Sequence, residues 1–188
     1  MKKIAIFASE GGTNAENIYK YFAENINVEV SLIVASKADA FVLQRAKNLK
    51  VPALTLTRSM FYKSNDLIKI LEVLEIDLVV LAGFLWLVPE NLIASFPNQI
   101  INVHPALLPK YGGKGMYGEH VHKAVKANKD SESGITIHYV NKAYDEGNII
   151  HQATCELVGS DSADDIAAKI HKLEFYHFPR VIEKLLLG

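Results

Sequence analysis

Short apolar runs alternate with amphipathic stretches along the first ~105 residues, and this rhythm predicts a fold. Lys3 to Ala8 is apolar, β-branched and stopped by a glycine pair, which reads as a buried strand. The segment Ala15 to Glu24 places Ile18, Tyr21 and Phe22 at helical spacing. Val28 to Ala35 repeats the strand pattern, and Ala40 to Leu49 the helix, with Phe41, Leu43, Ala46 and Leu49 on its inner face. Val51 to Leu56 predicts a short third strand entered at Pro52, and Asn65 to Glu75 a helix. Leu78 to Gly83 is the most apolar strand, and Ile100 to His104 makes a fifth. Alternating strands and helices are the units of a parallel sheet covered on both faces. The expected class is α/β: a single doubly wound, mostly parallel, Rossmann-like sheet.

The rhythm changes after His104. Pro105 and Pro109 rule out a regular helix between them, since each removes a donor and biases the residue before it away from helix. A glycine-rich stretch, Gly112 to Gly118, precedes a helix over Glu119 to Ala127. Gly134 to Val140 and Ile149 to Leu157 alternate as two strands, antiparallel in the simplest arrangement, around the turn-rich Asn141 to Gly147. Ser162 to Leu187 predicts one long helix, bent at Pro179. No repeat or linker interrupts the chain. One domain over residues 1–188 is expected, with a phosphate-binding half over about 1–100 and a catalytic half over about 100–188.

Composition narrows the function classes. Twenty Lys and Arg stand against 21 Asp and Glu, a net charge of -1, so the basic face of a nucleic-acid binder is not expected. A single cysteine, Cys155, excludes an internal disulfide and a cysteine-cluster zinc site, and fits a reducing compartment. Its strand position, with no basic residue close in sequence, reads as buried and inert. The apolar start, Ile4 to Ala8, is too short for a signal peptide, and no stretch reaches the ~20 apolar residues of a membrane span. A soluble cytoplasmic protein, with no membrane or nucleic-acid partner, is expected.

Open parallel sheets bind ligands beyond the carboxyl ends of their strands, and three polar groupings fall there. Gly11-Gly12-Thr13-Asn14 follows the first strand; its N–H groups suit an oxyanion, with Thr13 and Asn14 adding side-chain donors, but the same residues also make a tight turn with an Asn or Thr cap. Glu10 must point away from any anion. Gly83-Phe84 follows the fourth strand. Asn102-Val103-His104-Pro105 ends the fifth, with Asn102 and His104 on one face. An amide that stabilises an oxyanion beside an imidazole that moves a proton suits acyl or formyl transfer, or hydrolysis. Two residues making local backbone bonds at a strand end would look the same. Asp145 is placed to tune the imidazole, or serves only the turn.

Other signals are weaker. Gly113-Lys114-Gly115-Met116-Tyr117-Gly118 spells a dinucleotide fingerprint, but it follows a proline-bounded loop rather than a strand, so a lid or plain surface loop fits better. His120 and His122 are two apart on a helix and do not share a face, and no metal site is expected. His138 and His151 lie within strands. His171 and Glu174 share a helical face. No serine-nucleophile elbow occurs.

Leu81-Ala82-Gly83-Phe84, Ile101-Asn102-Val103-His104-Pro105-Ala106-Leu107-Leu108-Pro109, Gly134 to His138 and Asp145-Glu146-Gly147 occur in that order, and the chain closely resembles the folate-dependent formyltransferase family nearly end to end. The resemblance implies transfer of formyl from 10-formyltetrahydrofolate to the amine of phosphoribosylglycinamide in purine biosynthesis, without a metal. It implies His104 as proton donor, Asn102 as oxyanion stabiliser, and Asp145 as the group that raises the imidazole pKa and orders a water. It implies that Gly12, Thr13 and Asn14 cradle the ribose phosphate and that Glu174 contacts the ribose. Gly83, Phe84, Leu85, Trp86, Leu87 and Val88, with Asn141, Tyr144 and the rest of the 141–145 loop, would line the pterin pocket.

Trp86 stands where many members carry an arginine, the Gly112 to Gly118 stretch is longer and richer in glycine, and Arg58 and Lys63 compete for the folate tail. Relatives acting on initiator tRNA or nucleotide sugars carry further domains, and the formyltetrahydrofolate hydrolase a regulatory one. The chain length leads us to expect the small-substrate enzyme, as monomer or homodimer. A phosphate- or nucleotide-binding protein without catalysis is the alternative of another class.

Overall fold

Alternation within the first strand, β1 (Lys2–Ala8), sets the layout. Ile4, Ile6 and Ala8 enter one apolar core and Ala5 and Phe7 another, and all five are fully buried. A strand dry on both faces belongs in mid-sheet between two layers. In the computed structural model, which describes residues 1–188, β1 is flanked in parallel by β2 (Val28–Ala35) and β4 (Leu78–Leu81). Beyond them lie β3 (Ala53–Thr55) and β5 (Ile100–His104), also parallel. β6 (Glu132–Tyr139) and β7 (Ile149–Glu156) are antiparallel to their neighbours and complete the order β3-β2-β1-β4-β5-β6-β7. The doubly wound, mostly parallel sheet and its antiparallel end follow the hydrophobic pattern.

Four helices cover the face of Ile4 and Ile6: α1 (Thr13–Phe22), α2 (Phe41–Leu49), α6 (Glu119–Ala127) and α7 (Ala163–Leu187). Three cover the face of Phe7: α3 (Arg58–Tyr62), α4 (Asp66–Val73) and α5 (Glu90–Ser95). The hydrophobic pattern did not predict α3 or α5. Each is under two turns, too short for a 3.6-residue period to register. α3 instead announces itself by its cap, Thr57, whose hydroxyl accepts the Met60 N–H at 3.1 Å.

The terminal helix shows sequence, local structure and packing acting together. A capping box starts it: the Ser162 hydroxyl accepts the Asp165 N–H at 3.1 Å, and the Asp165 carboxylate accepts the Ser162 N–H at 2.9 Å. α7 continues through Pro179, whose ring nitrogen cannot serve the Phe175 carbonyl one turn back. Asn17 of α1 serves it instead, donating at 2.9 Å. The orphan left by the proline thus becomes a contact between α1 and α7.

β1 is also where the strand order reverses, since the chain leaves it toward β2 and later returns beyond it as β4. Such a switch point opens a crevice at the carboxyl ends of the strands. Ser9 closes its floor. Fully buried, it donates its N–H to the Gly83 carbonyl at 3.0 Å, and its hydroxyl oxygen accepts the Leu85 N–H at 2.9 Å and the Ser36 hydroxyl at 2.8 Å.

Phe178 anchors α7 in the core and is fully buried. Phe178→Ala is expected to lower stability by about 3–5 kcal/mol in urea denaturation. Val73→Ala, at a side chain 82% exposed, should stay within about 0.5 kcal/mol.

Candidate active site

The carboxyl ends of β1, β4 and β5 open into one cleft of about 520 Å³. At one end lies the Glu10–Asn14 loop, along one wall Gly83 to Val88, and at the centre Asn102, His104 and Asp145. The three polar groupings read from the strand ends therefore share one cavity.

Gly12 is the helix N-cap of α1, at φ 71° in the left-handed region, with no side chain capping the first turn. A Cβ there would collide with Val42 of α2. Glycine is thus required twice over, by backbone conformation and by close approach. The turn-with-cap alternative is not what forms, and the first N–H groups of α1 stay without a side-chain acceptor. Glu10 pairs with Lys37 at 3.2 Å, which neutralises the acid beside this loop. Asn14 differs from expectation. Its amide nitrogen donates to Glu174 at 2.9 Å in a buried contact, so the side chain serves α7 rather than the loop, leaving its backbone N–H for an anion.

The centre is built by pairing across β5 and β6. Their antiparallel register sets Asn102 opposite His138 and His104 opposite Thr136. His138 Nδ1 lies 2.9 Å from the Tyr139 carbonyl, which can only accept, so the proton of the neutral ring sits there. Nε2 is then free to accept the Asn102 amide at 3.1 Å. That bond orients the Asn102 amide and leaves its second N–H. Thr136, fully buried, accepts the Leu108 N–H at 2.9 Å and donates to the Ala106 carbonyl at 2.7 Å, fixing the proline-bounded loop after His104.

His104 is 3% exposed, its Nε2 donating to the Tyr111 carbonyl at 2.7 Å and its Nδ1 3.5 Å from the Asp145 carboxylate. Asp145 sits at φ 57°, accepts the Gly113 N–H at 3.0 Å, and lies 3.6 Å from His138 Nε2. Burial pushes the His104 pKa down; the Asp145 charge and the Tyr111 carbonyl pull it up but do not win, so the net shift is downward. Asp145 thus acts on the imidazole in the direction the resemblance implies, against a larger desolvation. Burial pushes the Asp145 carboxyl up, and His138 when its Nε2 is protonated, His104 and the Gly113 N–H outweigh it, holding the group below the usual carboxylate range.

Three residues passed over in the sequence join the cavity: His138, His122 and His171. The first was findable. Thr136 and His138 alternate with Ile135 and Ile137 just as Asn102 and His104 alternate with Ile101 and Val103, and a polar pair in an apolar strand wants a partner. Asn141, expected at the pterin wall, is not among the lining residues. Its side-chain oxygen accepts the Ala143 N–H at 2.9 Å and shapes the turn that carries Tyr144 and Asp145. His151 lies apart, 3.0 Å from His177. Cys155 is half-buried rather than buried, and burial pushes its thiol up despite nearby Lys169, which keeps it a poor nucleophile.

Residues 2–182 match the formyl transferase family. The chain belongs to that family. It is 37% identical over 182 residues to the chloroplastic phosphoribosylglycinamide formyltransferase of Arabidopsis thaliana, covering 92% of this chain and 62% of that protein. It is 35% identical to the phosphoribosylglycinamide formyltransferase of Bacillus subtilis, covering 99% and 95%. The chain thus spans about six-tenths of the plant relatives and nearly all of the bacterial one. The crystal structure of phosphoribosylglycinamide formyltransferase from Streptococcus pneumoniae superposes with a TM-score of 0.85 at 32% identity, covering 98% of this chain and 99% of that one.

Trp86 lines the cavity, and the Arg58 guanidinium sits 4.5 Å over its ring and 5.8 Å from that of Tyr62. The aromatic wall at Trp86 is thus capped by an arginine from α3. No helix is long and apolar enough to cross a membrane.

His122 is 4% exposed, its Nδ1 has no partner, and burial together with His171 lowers its pKa from 6.5 to about 4. The unfolded chain binds this proton first as pH falls, so the stability held above pH 6.5 is lost on the way to pH 4. Denaturation curves at pH 7.5 and 4.5 should therefore differ by roughly 2–3 kcal/mol more in the wild type than in His122→Phe. Parallel pH dependences would exclude this assignment.

Proposed function

We propose that the chain transfers the formyl group of 10-formyltetrahydrofolate to the amine of phosphoribosylglycinamide, in the cytoplasm. The observation that carries the reading is the convergence of Asn102, His104 and Asp145 on one cleft that also holds an uncapped helix start at Gly12. Relatives named for this activity at 35–37% identity support it.

The chemistry follows from the groups present. The neutral amine attacks the formyl carbon directly, forming a C–N bond while the carbonyl becomes an oxyanion. The free N–H of Asn102, held by His138, is available to that oxygen. The amine must then lose a proton and the folate nitrogen must gain one before its bond to carbon breaks. His104 carries that proton between them, assisted by a water on Asp145. A downward-shifted imidazolium is a stronger acid, and the adjacent carboxylate keeps it accessible. No covalent enzyme intermediate is needed.

At the ends of the cleft, the N–H groups of Gly12, Thr13 and Asn14 receive the phosphate and Glu174 the ribose. Gly83, Phe84, Leu85, Trp86, Leu87, Val88 and Tyr144 wall the pterin. Arg58, stacked on Trp86, is assigned the carboxylates of the folate tail in preference to Lys63.

An assay with both substrates should give formylated product, and a tube lacking the acceptor should release no formate. Formate release there would favour a hydrolase. His104→Ala and Asp145→Asn should each lower kcat by roughly 10²–10⁴-fold while both ligands still bind. Asp145→Asn should also move the His104 titration further below 6.5, read by NMR of the ring proton, because it removes a charge that raises that pKa. Wild-type rates in both variants would sink the mechanism.

A further inference from the structure

Apart from the Gly113 N–H that Asp145 accepts, the glycine-rich loop Gly112 to Gly118 has no role in the mechanism above, yet most of it lines the cleft. Gly113, Gly115 and Gly118 have φ of 98°, 89° and 48°, and a Cβ built on any of them would meet nothing within 4 Å. Their glycines therefore serve backbone conformation and not close approach to a neighbour. That geometry displays the charged side chain flanked by the first two of them, Lys114.

Lys114 is the only lysine or arginine lining the cleft. Three acids line it too: Glu10, Asp145 and Glu174. Glu10 is matched by Lys37 outside the cleft, and Asp145 accepts the Gly113 N–H. Lys114 is exposed and forms no ion pair within the protein. A cavity with this charge balance repels a phosphate dianion unless that cation turns to it.

The fold says which end of the cleft the loop serves. Gly113 is tied to Asp145 at the centre, and the loop leads into α6, which packs on α7. From α7, Glu174 holds Asn14 at the head of α1, so this side of the cleft is the phosphate side. The opposite end already has Arg58 on Trp86. We infer that Lys114, presented by the glycine-rich loop, is a further binding residue that pairs with the phosphate of the acceptor substrate and so selects a phosphorylated amine. The inference rests on the formyl-transfer reading and names one more contact of that site.

The test uses the full chain. Lys114→Gln is expected to raise the KM for phosphoribosylglycinamide by roughly 10–100-fold, with the KM for 10-formyltetrahydrofolate within about twofold of the wild type. Calorimetric binding of phosphoribosylglycinamide alone should weaken in parallel. Raising salt should increase the acceptor KM steeply in the wild type and little in the variant, and Lys114→Arg should restore most of the affinity. Arg58→Ala should show the converse, a raised folate KM with the acceptor KM unchanged. If Lys114→Gln keeps the wild-type acceptor KM and salt response, or raises the folate KM alone, the assignment fails while formyl transfer stands. If the wild type neither binds nor formylates phosphoribosylglycinamide, both readings fall together.

Discussion

The Asp145 carboxylate holds the centre of this protein together. It arrives on the turn between β6 and β7, in a left-handed conformation, and meets His104 from β5, His138 from β6 and the Gly113 N–H from the glycine-rich loop. A largely buried anion is tolerated only where such partners surround it. That requirement fixes four segments relative to one another. It also keeps the imidazole next to a counter-charge although burial favours the neutral ring.

The parallel half of the sheet and its antiparallel end divide the work. Parallel strands deliver loops and helix starts to one edge, where an uncapped α1 and the Ser9 clamp prepare an anion site at the switch point. The antiparallel pair contributes side chains across a ladder, which is how Asn102 gains His138 as an orienting partner. Directly opposed residues on neighbouring strands are held about 5 Å apart with little freedom, so the amide is positioned before any substrate enters. α7 braces the arrangement from outside, taking Asn14 through Glu174 and a hydrogen bond from Asn17 at the carbonyl that Pro179 leaves orphaned.

Much of this was legible residue by residue. Buried strands announced themselves as short apolar runs because both of their faces are dry, and Asn102-Val103-His104 stood out because polarity at a dry strand end needs a partner. α3 and α5 were missed for want of length. The bond from Asn14 to Glu174 is invisible in the sequence because the two lie 160 residues apart. Nor does the sequence show that the Asn141 side chain shapes the turn carrying Asp145. Cys155 has Lys169 nearby only once α7 packs on the sheet.

Sequence by itself determined the fold class, the order of the strands and longer helices, and the three polar clusters from which the site is made. These depend on local period and composition, which a linear chain carries in full. Only the tertiary structure decided the pairing of Asn102 with His138, the net direction of the His104 pKa and the stacking of Arg58 on Trp86. It likewise made Lys114 the sole cation in the cleft. Each of those is a matter of distance and burial between segments far apart in the chain. Register, desolvation and charge balance exist only once the sheet has closed.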